Sequence, residues 1–419
     1  MRQSVIMIWF VAMPWLIGNS QNIADLKKDM AGIASDATEG RFTASEGYLK
    51  AAQYVSAELK AAGIVPGWTD GQKKTYLQPV PFAWDNYAGS ALYIHGKAFE
   101  HAPGNFLITQ PGKPGTGKWV VLAPGDSVKG KPAGIVRLPN TAQSKDWETT
   151  VIRQYRFGYM HYLPDGKDTV TAMPVILVSP ALAELLSPGD SVIVGLRHML
   201  EDKVGYNVVG FYPGAEPKFS NEAIIIGAHL DHIGRFNNDI YNGANDDASG
   251  CVAELGVARM LAAHAIQHPV LFVFFCGEEL NLKGSGWFVN HLPIPKENIS
   301  LAVNLEQLGS KHRSFKGVWA LGDSIFKQPF YSAGRNFMLK DLQFSATDSV
   351  KDILGNTDTY SFMNRQIPSL LLGSGGFDEH HTPQDKIDLI DFEHLQKVTY
   401  LLYNLVRFFS ASLNKPLTI

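Results

Sequence analysis

Cysteine is nearly absent from this chain. Of 419 residues only Cys251 and Cys276 are cysteines. That excludes a disulfide framework, and their spacing excludes a cysteine-ligated zinc site. Both flank histidine- and carboxylate-bearing motifs, where two buried free thiols are the expectation rather than a bridge. A surplus of positive charge is also missing: 37 Lys+Arg stand against 40 Asp+Glu, a net charge of −3. Nucleic-acid binders carry a basic excess, so that class is set aside. There is no low-complexity tract and no repeat of solenoid period. Outside the N-terminus no run of 18 apolar residues occurs, so no membrane span is expected after processing.

The first twenty residues read differently from the rest. A short basic start, Met1-Arg2-Gln3, precedes an almost wholly apolar run from Val5 to Ile17, then Gly18-Asn19-Ser20-Gln21. This is the three-part plan of a secretory signal peptide, and the run is short for a span. Residues 1–20 are therefore expected to be a signal peptide and the protein exported, to a periplasm or the extracellular space. An uncleaved N-terminal anchor is the alternative.

The length suggests two domains. Residues 22–35 and 43–62 read as helices, the second with apolar positions Tyr48, Ala51, Ala52, Val55 and Leu59 and a Gly63 stop. From about 86 to 201 short β-type runs alternate with Gly/Pro turns, and helical signal is sparse apart from 180–186. This stretch is expected to be an inserted β-rich domain. From about Val208 onward apolar runs of the buried-strand kind (223–226, 270–275, 302–305, 318–321, 369–372) alternate with amphipathic stretches. That alternation predicts an α/β domain with a mainly parallel central sheet, discontinuous over 22–85 and 202–415.

In such sheets active sites form beyond the carboxyl ends of the strands. The run 223–226 leads into Gly227-Ala228-His229-Leu230-Asp231-His232, and Asn242-Gly243-Ala244-Asn245-Asp246-Asp247-Ala248-Ser249-Gly250 stands where a helix begins. The run 270–275 leads into Cys276-Gly277-Glu278-Glu279, and 302–305 into Glu306-Gln307-Leu308-Gly309. The last run leads to Asp378-Glu379-His380-His381-Thr382-Pro383-Gln384-Asp385. Singly, each piece is ordinary: a rim histidine, a solvated Glu pair, a helix cap. Together, several carboxylates and imidazoles converging on one sheet edge require cations to neutralise them, which is how a transition-metal site is built.

The five motifs, in this order, resemble the co-catalytic zinc aminopeptidase and carboxypeptidase family, over roughly Val208 to the C-terminus plus the N-terminal helices. The resemblance implies a three-layer α/β/α zinc-peptidase domain. The inserted stretch more loosely resembles a protease-associated domain, at Pro174-Val175-Ile176-Leu177-Val178-Ser179-Pro180-Ala181. Carried over residue by residue, it implies two Zn2+ ions, with Co2+ or Mn2+ able to fill similar sites. His229 would bind one ion and His381 the other. Asp246 would bridge them in preference to Asp247, and Glu279 and Glu306 would complete the sets. Asp231 would orient the His229 ring, and Glu278 would be the general base. The chain departs from the family in three places. Glu306 stands where Asp is frequent. His380 stands where carboxypeptidase-type relatives have an oxyanion-donating Tyr; it would be the donor or a surface-loop residue. Asp358-Thr359 replaces an Asp-His pair, and Asp358 would orient a ligand or cap a helix.

Paired cations polarise a carbonyl and acidify a shared water, and a neighbouring carboxylate can take its proton and pass it to the leaving amine. The expected function is a metal-dependent exopeptidase acting on peptide ends, more in keeping with an aminopeptidase than a carboxypeptidase. Arg235, Lys283, Lys311 and Arg313 are the basic residues near the motifs that carboxyl-end recognition would need. A glutaminyl cyclase-like acyltransferase with one zinc, and a non-catalytic receptor-like homologue, are the readings from other classes.

Overall fold

The computed structural model describes residues 22–112, 115–155, 159–162, 173–236, 238–335, 339, 341–346 and 356–412; the expected signal peptide lies outside them. Two helices open this part of the chain. Asn22 accepts from the Asp25 N–H and starts Ile23–Ala34, and Ser45 accepts from the Tyr48 N–H and starts Glu46–Ala61. Each cap satisfies an orphan donor of a first turn. Their apolar faces, Leu26, Met30 and Ile33 on one and Ala52, Val55 and Leu59 on the other, are buried in a single core.

That core is one of two the main sheet creates. The sheet has ten strands. Its main path runs Met160–Tyr162, Leu77–Asn86, Met199–Tyr212, Val270–Phe275, Ala223–His229, Ile299–Glu306, Ser369–Gly373, Val318–Gly322 and Leu342–Ala346, and Val65–Pro66 pairs at one side. Side chains alternate between faces with period two. Ile224, Ile226, Phe272 and Phe274 therefore join the core under the helices Ile23–Ala34, Glu46–Ala61, Ser249–Ala263 and Phe392–Ser412. Ile225, Leu271, Val273 and Phe275 join a second core with Phe288 and Phe362, carried by the helices Lys283–Asn290 and Thr359–Asn364. Strands buried on both faces read as unbroken apolar runs, which made them visible in sequence. The result is the expected α/β/α sandwich.

The sheet is mixed. Val270–Phe275, Ala223–His229, Ile299–Glu306 and Ser369–Gly373 are mutually parallel at its centre. Leu77–Asn86 and Met199–Tyr212 pair antiparallel, as do Met199–Tyr212 with Val270–Phe275 and Val318–Gly322 with Ser369–Gly373.

The long antiparallel pair also explains the insertion. Asn86 lies opposite Met199, so the chain leaves and re-enters the main sheet at adjacent points. Between them lies a separate seven-stranded sheet, ordered Lys97–Glu100, Ala91–Ile94, Ser191–Leu196, Gly115–Leu122, Ile135–Arg137, Val175–Val178 and Phe106–Gln110. It has its own core, including Leu92, Phe106, Trp119, Val136, Ile176 and Val194. Two features of this region differ from the sequence reading. Helices form over Thr141–Lys145 and Trp147–Gln154, started by an Asn140/Gln143 capping box and by Asp146. Met160–Tyr162, from inside the insertion, pairs with Leu77–Asn86 in the main sheet. The inserted region is thus stitched to the larger sheet rather than hung from it. Among the described residues no helix is long and apolar enough to cross a membrane.

Candidate metal centre

The parallel central strands end on one edge of the sheet, and each delivers a polar side chain there. His229 is the last residue of its strand and Glu306 the last of another. Glu278 and Glu279 follow the strand Val270–Phe275, with Gly277 at φ 67° making the turn. Asp246 lies in the turn before Ser249–Ala263, and His381 in the loop after Ser369–Gly373. All five residues expected to hold metal are brought together.

Asp246 reaches both histidines, while Asp247 also stands with His229 and Glu306, and His232 with Asp246 and Glu279. Nε2 of His229 is 3.2 Å from Asp246 Oδ1 and 3.3 Å from Glu306 Oε1. Nε2 of His381 is 3.2 Å from Asp246 Oδ2 and 3.1 Å from Glu279 Oε1. Around a tetrahedral zinc with bonds of 2.0–2.1 Å, neighbouring donors lie about 3.3 Å apart. The four separations have that length, and the two oxygens of one carboxylate face the two histidines. Oδ2 of Asp247 and Oε2 of Glu306 are buried without a hydrogen-bond partner, the situation a cation relieves.

The charge balance points the same way. Burial, with Glu279, Glu306 and Asp358 adding to it, pushes Glu278 well above the usual carboxylate range against the pull of His229. Burial alone would lower His229, yet Glu278, Glu306 and Asp246 hold it well above an ordinary imidazole. Burial and Glu306 likewise raise Asp247. Bare side chains in this cluster must share protons; two divalent cations do the same neutralisation without them.

Glu278 stands apart from the donor sets. Its Oε2 is 3.9 Å from His229 Nε2, and its side chain is 12% exposed, so it faces the cluster with its carboxylate free to meet a water. Asp231 differs from expectation. Its carboxylate is 3.9 Å from His229 Nδ1, too far for a hydrogen bond, and the ring is held instead by the backbone carbonyl of Asp231 at 3.0 Å. Thr43 donates to that carboxylate at 2.8 Å, and the Glu278 N–H donates to it at 3.2 Å. Thr43 also accepts from the Gly277 N–H at 2.9 Å. Asp231 therefore positions the Glu278 loop with its side chain and the His229 ring with its backbone.

Two more imidazoles enter the cluster. His232, to which the motif assigned no role, is fully buried, with Nδ1 2.9 Å from Glu279 Oε1. His380 puts Nε2 3.1 Å from Asp246 Oδ2 and stacks on His381 at 3.8 Å. Its side chain is 44% exposed, so it is a residue of the surface loop that also borders the cluster. Asp358 is buried and starts Thr359–Asn364, but its side chain makes no capping bond. Burial pushes it up to about 7.

Residues between the expected ligands hold the loops in register. Asp247 accepts the Gln307 N–H, Ser249 the Leu308 N–H and Asn245 the Gly309 N–H, which fastens the loop after Glu306 to the Asp246 turn. Asp385 accepts the N–H groups of Asn245 and Asp246 and so fastens the His381 loop to the same turn. Arg41 is fully buried and donates to the carbonyls of Ile33, Leu230, Asn242 and Gly243. It joins the His229 loop to the approach to Asp246 from 189 residues away. No local pattern marks Arg41, because its partners are backbone carbonyls brought near only by the fold. Cys251 and Cys276 are free and buried, and Cys251 donates to the His229 carbonyl.

Of the four basic residues that carboxyl-end recognition would need, Arg313 and Lys311 are committed elsewhere. Arg313 donates to the Ser310 carbonyl and pairs with Asp391 at 3.1 Å. Lys311 donates to the Asp388 carbonyl, and Arg235 is exposed.

Residues 207–406 match the model of peptidase family M28. A probable leucine aminopeptidase 2 of Aspergillus oryzae is 32% identical over 111 residues, 26% of this chain and 21% of that protein. Leupeptin-inactivating enzyme 1 of Streptomyces exfoliatus is 32% identical over 114 residues, 26% of this chain and 24% of that protein. The chain thus spans about a quarter or less of the length of these curated relatives. In fold it is similar to BSAP, a zinc aminopeptidase from Bacillus subtilis, at TM-score 0.64 and 16% identity over 93% of this chain and 95% of that one. It is similar also to an aminopeptidase from Aneurinibacillus sp. strain AM-1, at TM-score 0.58 and 20% identity over 93% and 94%.

Proposed function

We propose, from the match of residues 207–406 to the model of peptidase family M28, that this chain is a metal-dependent exopeptidase, an aminopeptidase that uses two zinc ions. The observation that carries the two-ion reading is the division of Asp246, with Oδ1 3.2 Å from His229 and Oδ2 3.2 Å from His381. His229, Glu306 and Asp246 would hold one ion, and His381, Glu279 and Asp246 the other. When bound, the ions supply Lewis acidity for the scissile carbonyl and acidify a water at neutral pH.

Glu278 takes a proton from that water as its oxygen bonds to the carbonyl carbon. As the C–N bond breaks, Glu278 returns the proton to the departing amine. Its carboxylate must be ionised to accept that proton, a state that cations beside it favour. Asp231 and Thr43 keep the Glu278 backbone in place. The His380 ring, beside Asp246, is the donor to the developing oxyanion. A surplus of carboxylates around the donor sets suits a free α-ammonium group, and the commitment of Arg313 and Lys311 elsewhere weighs against recognition of an α-carboxylate. The inserted sheet is read as a protease-associated-like unit, and export through residues 1–20 is part of the same reading.

End-blocked peptides test it. An aminopeptidase releases the first residue from Leu-Ala-Phe-amide and leaves acetyl-Leu-Ala-Phe intact. Cleavage of the acetylated peptide alone would make it a carboxypeptidase, and ring closure of Gln-Ala-Phe-amide without peptide-bond hydrolysis would make it a cyclase.

A further inference from the structure

A cavity outside the donor cluster lies at the junction of the inserted region with the larger domain. It encloses about 420 Å³, within the size range of small-ligand sites. Its walls are Phe42, Ile233 and Phe236 from the larger domain, with Trp84, Ile152 and Tyr155 from the insertion or the strand leading to it. The aromatic walls are braced against one another. Phe42 meets Trp84 edge-on at 6.2 Å, Trp84 meets Tyr155 at 5.8 Å, and Tyr155 meets Phe236 at 6.4 Å. Glu39 and Arg235, both exposed, put one charge of each sign at its rim. An apolar, pre-formed hollow of this kind takes an apolar side chain.

Two chain segments tie the cavity wall to the centre. Ile233 directly follows His232, and Phe42 lies between Arg41 and Thr43, which hold the His229 and Glu278 loops. With consecutive Cα atoms 3.8 Å apart, the cavity wall stands on the order of 10 Å from the donor atoms. An extended peptide covers that distance in about three residues. An exopeptidase has a single residue on the cleaved side of the bond, so the backbone that covers this range is that of the retained part of the substrate.

We infer that this cavity is a subsite for an apolar side chain of the substrate peptide, two to three residues beyond the scissile bond, with Pro103, Ile152 and Tyr155 of the insertion in its wall. The inference rests on the exopeptidase reading above. It makes the enzyme one that prefers oligopeptides with an aromatic or branched residue near, but not at, the cleaved end.

A scanning series tests it: Leu-Ala-Ala-Ala-Ala-amide and four analogues with Phe at positions 2, 3, 4 or 5, with Leu-anilide alongside. Wild type should show kcat/KM raised about tenfold by Phe at position 3 or 4, mostly through KM, the scale of one apolar group filling a pocket. The Phe-to-Ala ratio should fall towards one in Phe236→Ala and, separately, in Ile152→Ser. Comparing ratios within each variant removes any general loss of activity. Equal kcat/KM across the series in wild type, or a ratio unchanged in both variants, would overturn the subsite while Leu-anilide turnover kept the exopeptidase reading intact. No turnover of any substrate by wild type would overturn both.

Discussion

Arg41→Lys isolates what a buried guanidinium does for this site. Arg41 spreads its N–H groups over four carbonyls, of Ile33, Leu230, Asn242 and Gly243. A lysine ammonium is a point donor and cannot span acceptors on the loops either side of it. At least two of the carbonyls lose their partner, at about 1–3 kcal/mol each for a buried unsatisfied group. A destabilisation of roughly 3 kcal/mol is expected. The loops freed are those that carry His229 and Asp246, so zinc affinity should fall about 10–100-fold, as when ligand-orienting partners are removed. Thermal or urea unfolding of the chelated protein measures the first quantity, and competition with a fluorescent zinc chelator the second. If Arg41→Lys kept stability within about 0.5 kcal/mol of wild type and bound zinc as tightly, Arg41 would not organise the centre.

Thr43→Val removes the donor to Asp231 and the acceptor for the Gly277 N–H; kcat should fall with KM little changed, because the Glu278 loop is displaced while the peptide-binding walls remain. Chelation should lower the melting temperature and zinc restore it, by about 4 kcal/mol at a thousandfold excess over Kd; Asp246→Asn should abolish that zinc-dependent shift in calorimetry. His394 is buried, with burial and Arg313 lowering it to about 4. The unfolded chain takes up this proton first, so stability is complete above about pH 6.5 and falls by about 3 kcal/mol as pH drops towards 4. In His394→Gln, urea unfolding across that range should give a flatter pH profile.

The parts of the fold legible in the sequence are those where burial is symmetrical. Strands such as Val270–Phe275 are covered on both faces and so appear as unbroken apolar runs. The polar residues just after them stand out by contrast. The site was legible for the same reason, since His229, Glu278, Glu279 and Glu306 sit at or just past the ends of such runs. What stayed hidden depends on contacts between distant segments. The pairing of Asn86 with Met199, which adds antiparallel strands to the sheet, is set by register and not by composition. The helices Thr141–Lys145 and Trp147–Gln154 are short and mostly exposed, so no apolar periodicity marks them. The exchange of roles at Asp231, carbonyl to His229 and carboxylate to Glu278, turns on about an ångström of placement that no motif encodes. His232 was visible in its motif, but its approach to Glu279 appears only once the strands are side by side.

Glu278→Gln, studied with a count of bound zinc, tests the central claim most directly. The substitution keeps the size of the side chain and leaves the donor atoms of His229, Asp246, Glu279, Glu306 and His381 untouched. The account requires two zinc ions per chain in both proteins, with Leu-anilide turnover reduced at least a thousandfold in the variant alone, about the full contribution of a general base. One ion or none in the wild type, or a variant that turns over as the wild type does, would contradict it.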